Sequence, residues 1–336
     1  MSKRPIFPTD QFECYDAEGK PARCQGEQDP AGAGQPWPSP RFSEEGQTVN
    51  DGLTGLVWTQ DGAVSMFPMM WADAFDLVTR MNKINAYGYS DWRLPNRREM
   101  FSLISHVRND PALPREHPFV NAASSWYWTS TTAARVAVEA WKVHMGSGRM
   151  KTAPKHEMAM IWPVRGGRKG QIRLHWTGQR LCYSQAGNII DCENSGQDGE
   201  LRVGAPWPSP RFTQSGQTVL DLLTGLTWTH NANCAPGLVP WEQAFEAVSN
   251  LNKNQVGGHG DWRAPTVREL ESITDMGGHS PALIQGRPFI NIKDYYWSSS
   301  TVANAPDRAW VLETGDGAVT HRSKGEKACH VWAVRA

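Results

Sequence analysis

Apolar side chains recur along the chain with two different periods. Trp71, Phe75 and Val78, and again Trp241, Phe245, Val248 and Leu251, are spaced by three and four residues. That spacing puts each set on one stripe of an amphipathic α-helix. A shorter helix is predicted after each. Asn96 with Glu99, and Thr266 with Glu269, form capping boxes, in which two side chains satisfy two of the helix's orphan N–H groups. Pro95 and Pro265 stiffen the entries, and Met100, Leu103 and Ile104, or Leu270 and Ile273, give the buried stripes. Elsewhere the pattern shortens to aromatic and β-branched runs broken by Gly turns. "GLVWT" (55–59), "YWTSTT" (127–132), "EAWKVHMGSGRM" (139–150) and "MIWPVR" (160–165) read as strands, as do "GLTWT", "YWSSST", "RAWVLETGDGAVT" and "HVWAVR" further on. Two helices followed by a run of antiparallel strands make the class α+β.

Every one of these elements occurs twice, in the same order. "PWPSPRF" at 36–42 returns unchanged at 206–212, and "GQTVNDGLTGLVWT" at 46–59 returns as "GQTVLDLLTGLTWT" at 216–229. The DWR phrase of Asp91, Trp92 and Arg93 returns as Asp261, Trp262 and Arg263, 170 positions later. Such a register means one domain in tandem, expected at 1–168 and 175–336 with a short linker at 169–174. Each copy is expected to carry a cysteine-bearing head (5–35 and 175–205) and its own core (36–167 and 206–336). DWR reads as a packing knot: a buried Trp beside an Asp and an Arg able to pair with each other or with backbone.

Composition sharpens this picture in two ways. The 336 residues include 16 Trp, 31 Gly and 23 Pro, the signature of a loop-rich architecture that builds its core from large indoles. Lys and Arg number 34, as do Asp and Glu, so no global field draws the chain to nucleic acid or membrane. No apolar run reaches the roughly 18 residues that a membrane span needs, and the opening residues lack the apolar stretch of a secretory leader.

The six cysteines argue for an oxidising compartment all the same. Cys14 with Cys24, and Cys182 with Cys192, hold equivalent places and are expected to bridge within each head. Cys234 and Cys329 occur only in the second copy, where the first has the apolar Val64 and Ala159. A pair replaced by a pair suggests contact, so a third bridge is expected there. With no CxxC among them, a zinc site is not expected, and neither is any other metal or cofactor.

On these motifs the chain resembles the Lcl C-terminal domain family, the C-terminal domain of a bacterial collagen-like adhesin. GxxDWRLP followed by a capping Glu, the YW strand, the late AWxV and the terminal VR phrase, preceded by DxxTGLxW and the cysteine head, match it twice over. "WRAP" in the second copy, and Met100 where Leu is usual, depart from it without changing the packing chemistry. The order of elements is also similar to the C-type-lectin-like superfold. The resemblance implies adhesion and glycosaminoglycan-type ligands at a cell surface, in the periplasm or in secretion.

No catalytic constellation stands out. GxSxG, P-loop, GxGxxG, HExxH, and the calcium motifs EPN and QPD of lectins are all absent. What stands out is a basic run. Lys142, Arg149, Lys151, Lys155, His156, Arg168 and Lys169 crowd one stretch in which Glu157 is the only acid, and His321, Arg322, Lys324 and Lys327 form a thinner counterpart. A hairpin carrying these groups would suit an anionic polysaccharide. Exposed aromatics beside the YW strand, from Trp126 and Tyr127 or Tyr295 and Tyr296, could stack on sugar rings. The leading expectation is a non-enzymatic binding or adhesion protein whose partner is an anionic glycan or a surface protein. The alternatives are a self-associating assembly subunit and, last, an oxidoreductase of the formylglycine-generating type.

Overall fold

A computed structural model describes residues 6–24, 26–28, 37–166 and 169–336. The first head holds β1 (Cys14–Tyr15) and β2 (Pro21–Ala22), paired antiparallel. The first core runs β3 (Phe42–Glu45), β4 (Thr48–Asp51), β5 (Val57–Thr59), α1 (Trp71–Lys83), α2 (Arg97–Ser102), β6 (Trp126–Thr132), β7 (Glu139–His144), β8 (Met150–Pro154) and β9 (Val164–Arg165). The second head repeats the hairpin as β10 (Cys182–Tyr183) and β11 (Ile189–Ile190) and adds α3 (Asp198–Leu201). The second core repeats the first as β12 (Phe212–Ser215), β13 (Thr218–Asp221), β14 (Thr227–Thr229), α4 (Trp241–Lys253), α5 (Val267–Ser272), β15 (Tyr295–Val302), β16 (Ala305–Glu313), β17 (Ala318–Ser323) and β18 (Val334–Arg335). The expected α+β class, with two helices before a run of antiparallel strands in each core, is what the chain adopts.

In each core the closing strand returns to the opening sheet, giving the orders β3-β4-β5-β9 and β12-β13-β14-β18. The strands β6, β7 and β8, and likewise β15, β16 and β17, pair antiparallel in sequence order. Register breaks between Trp128 and Thr132, and between Trp297 and Thr301. Such a bulge frees backbone groups from the ladder, and other elements take them. The Trp71 indole donates to the Thr129 carbonyl at 2.8 Å, the Ser130 amide to the Pro95 carbonyl at 2.8 Å, and the Trp241 indole to the Ser298 carbonyl at 2.7 Å.

In the DWR phrase, Trp92 and Trp262 are buried, and each indole donates to the carbonyl of the turn before it, Ala86 at 2.8 Å and Val256 at 3.0 Å. Arg93 and Arg263 each grip the capping-box glutamate with two bonds, to Glu99 at 2.6 Å and to Glu269 at 2.6 and 2.7 Å. Asp91 and Asp261 face outward and hold the closing arginines, Arg165 at 2.6 Å and Arg335 at 2.7 Å. The Asp and Arg of the phrase therefore do not pair with each other. Each reaches a different element, the arginine the short helix and the aspartate the last strand.

The compact units do not follow the sequence copies. Met1–Pro36 joins Pro206–Ala336 in one unit, and Trp37–Ala205 forms the other. Each head therefore sits on the core of the other copy, which corrects the expected pairing of a head with the core that follows it. The stretch 169–174 is no free linker either. Ile172 is buried and its amide donates to the Leu53 carbonyl at 2.8 Å, carrying the chain directly from the first core into the head that covers it.

Candidate functional site

The hairpin of β7 and β8 carries the basic run, and the structure divides its residues by burial. Trp126, half-buried at the start of β6, is the centre. His144 stands opposite it in register, its ring edge-on at 4.9 Å. Lys151 lies 4.9 Å, Lys142 5.5 Å and Arg149 5.8 Å from the Trp126 ring centroid, within cation–π range. Arg149 and Lys151 are exposed, whereas Lys142 is buried and bonded to Glu157 at 2.8 Å. Lys142 and Lys151 are direct cross-strand partners. Like charges so placed repel, and Glu157 answers one of the two. His144 accepts amide bonds from Gly146 and Ser147 on Nδ1 at 3.1 and 3.0 Å. Burial and then the nearby Arg149 lower its pKa, so the ring is neutral at pH 7 and the cations are the flexible chains around it.

Other expected ligand residues fall elsewhere. Lys155 and Lys324 are fully buried and are corrected from surface contacts to anchors. Their ammonium groups lie over the indole that opens each long helix, with Nζ 4.2 Å from the Trp71 ring centroid and 3.9 Å from that of Trp241. Each ammonium donates to a head carbonyl, Lys155 to Ser184 at 3.0 Å and Lys324 to Asp16 at 2.9 Å. Burial lowers both pKa values to about 8. His156, Lys169 and Lys327 are exposed, and Arg168 lies outside the described residues. In the second core the counterpart of the Trp126 face is thinner. Arg322 lies 5.1 Å from the half-buried Tyr295, and His321 accepts from Arg308 at 3.1 Å. Of the aromatic pairs, Tyr127 and Tyr296 turn inward and are fully buried, and burial pushes the Tyr127 hydroxyl up to about 12. Trp126 and Tyr295 remain at the surface.

A second feature had no signal in the sequence. In the unit containing the first head, a cavity of about 530 Å³ opens between that head and α4, lined among others by Tyr15, Asp16, Arg23, Glu242, Glu246 and Lys253. Its walls come from opposite ends of the chain, so only the exchanged packing brings them together. Among the described residues, no group of three His, Cys, Asp or Glu could hold a metal ion.

The head bridges Cys14–Cys24 and Cys182–Cys192 form, with Cα atoms 5.2 Å apart in each. Cys234 and Cys329 remain free thiols, so the expected third bridge is corrected. Both pack in one apolar cluster, but Cys329 pairs through its backbone with Val239, and the Cys234 sulfur contacts the Thr229 hydroxyl at 3.4 Å. Burial raises both thiol pKa values, that of Cys329 to about 12.

The sequence pattern of the Lcl C-terminal domain matches residues 47–165 and again 217–335. The chain belongs to the Lcl C-terminal domain family. Each Lcl C-terminal domain match ends on the arginine that holds the DWR aspartate, and each begins after the head and the PWPSPRF segment. The heads thus lie outside both family matches. No curated protein matches the chain. Among the described residues no helix is long and apolar enough to cross a membrane, and the two bridges are compatible with an extracellular or periplasmic protein.

Proposed function

We propose that this chain is a non-enzymatic binding protein of adhesive type, working outside the cell or in the periplasm on two C-type-lectin-like scaffolds. In this reading the Trp126 face holds an anionic glycan. The observation that carries it is the Lys142–Lys151 cross-strand pair gathered around a half-buried indole. Glu157 offsets the buried Lys142, which leaves Lys151 and Arg149 as the exposed cations of this face, and a sulfate or carboxylate between them would pair with both. The Trp126 face offers a sugar ring an apolar platform. The matching positions in the second core, Val311 and Thr320, carry no charge, which favours the first core as the one that binds. Membership of an adhesin-derived family supports the same class.

Retention on immobilised heparin tests this reading. It should fall as salt rises, and Arg149→Ala with Lys151→Ala should elute at clearly lower salt, with a flatter salt dependence by about one unit of slope per lost contact. Lys327→Ala should elute like the parent chain. Retention indifferent both to salt and to the double substitution discards the site.

A further inference from the structure

Each head reaches its core through a seat that is the same in both units. The Gln11 side chain makes two bonds with the backbone of Thr301, donating at 2.6 Å and accepting at 3.1 Å. Gln179 does the same with Thr132 at 2.6 and 2.9 Å. Lys324 and Lys155 each take a carbonyl from the head's first hairpin. The turn glycine of that hairpin lies flat on the core in both cases. A side chain at Gly19, whose φ is +81°, would come within 2.7 Å of the Asp307 nitrogen, and one at Gly187, also at +81°, within 2.9 Å of Val138. One head chemistry thus fits two seats.

The two heads differ in how the chain delivers them. The second follows directly on the core it covers, in the continuous unit Trp37–Ala205. The first is joined to the wrong core for its seat, since the whole of that unit separates it from residues 206–336. Its disulfide closes inside the head, and every link to the core named above is non-covalent. It can therefore leave without losing its own staple. A vacated seat would expose the buried Lys324, the indole of Trp241 and the backbone groups of Thr301 that Gln11 holds, a surface shaped to take a head again.

We propose that the first head is a transferable docking element: its seat on the second core accepts the first head of another copy of this chain, joining copies head to tail. Each added copy brings one free head and one open seat, so the contact is heterologous and extends unless it closes into a ring. Closure within one chain competes with it by effective concentration, which places the crossover on the order of millimolar chain.

The full chain, unfolded and refolded at rising concentration so that every head leaves its seat, tests this. Light scattering should show masses in whole multiples of one chain at high concentration, returning to one on dilution and refolding. Deleting residues 1–28 should abolish the multiples. A single mass at every concentration, or multiples that survive the deletion, overturns the proposal. A second pair of variants guards against misfolding of the truncated chain. Ala17→Cys and Glu242→Cys exploit the 3.1 Å contact between the Ala17 amide and the Glu242 carboxylate. Refolded together as separate single variants and oxidised, they should give a dimer joined through these two positions. No such dimer, when the same two substitutions in one chain do form a bond, also overturns it.

Discussion

Arg41 and Arg211, the arginines of PWPSPRF, are the residues whose repetition had no stated reason in the sequence. Each is buried against an aspartate of the turn that opens the third strand of its core. Arg41 meets Asp51 at 2.7 and 3.0 Å, Arg211 meets Asp221 at 2.8 and 3.1 Å, and each also donates to the last residue of the short helix, Ser102 or Ser272. Removing one partner of such a pair leaves a buried charge without its counter-ion. Arg211→Met should therefore cost about 3–5 kcal/mol, read as a lower denaturant midpoint for the unit containing the second core. Asp198 shows the opposite balance at the same scale. It is fully buried, bonded by the Thr131 and Thr177 hydroxyls at 2.7 and 2.8 Å, and burial raises its pKa from 3.8 to about 6. The folded state thus holds this proton more tightly than the unfolded chain. Its contribution to stability is complete below pH 3.8 and is lost as pH rises through about 6. Asp198→Asn should remove that part of the pH dependence. The gap in unfolding free energy between pH 5 and 7.5 is then smaller in the variant than in the parent chain.

At the scale of elements, the helices and strands were legible because their signals are local. The capping boxes form as their spacing predicts, with Glu99 and Glu269 reaching back to the amides of Asn96 and Thr266 at 2.9 and 2.8 Å. The stripe from Trp71 to Val78 is the one that packs. The second job of those glutamates, gripping Arg93 and Arg263, was not legible, because it joins elements through a side chain whose partner the sequence leaves open. The heads follow the same logic. Their bridges could be read from matched spacing, but the cores on which they sit could not. Loss of the first head should destabilise the second core and spare the first. A chain lacking residues 1–28 should show faster amide exchange in β15 and α4, with β6 and α1 protected as before.

For the whole molecule, sequence and tertiary structure divide the work along a physical line. The sequence by itself determined a duplicated α+β domain, the helical and strand segments, the two local disulfides and the family. All of these depend on contacts a few residues apart or on a repeat visible by eye. Tertiary structure decided the exchange of heads, the burial of Lys155 and Lys324 beneath them, the freedom of Cys234 and Cys329, and the narrowing of the basic run to a face around Trp126. Two nearly identical seats make two pairings equivalent in local chemistry, so the pattern of residues cannot choose between them. Chain connectivity and packing choose, and with that choice they also set which lysines meet solvent and which become anchors.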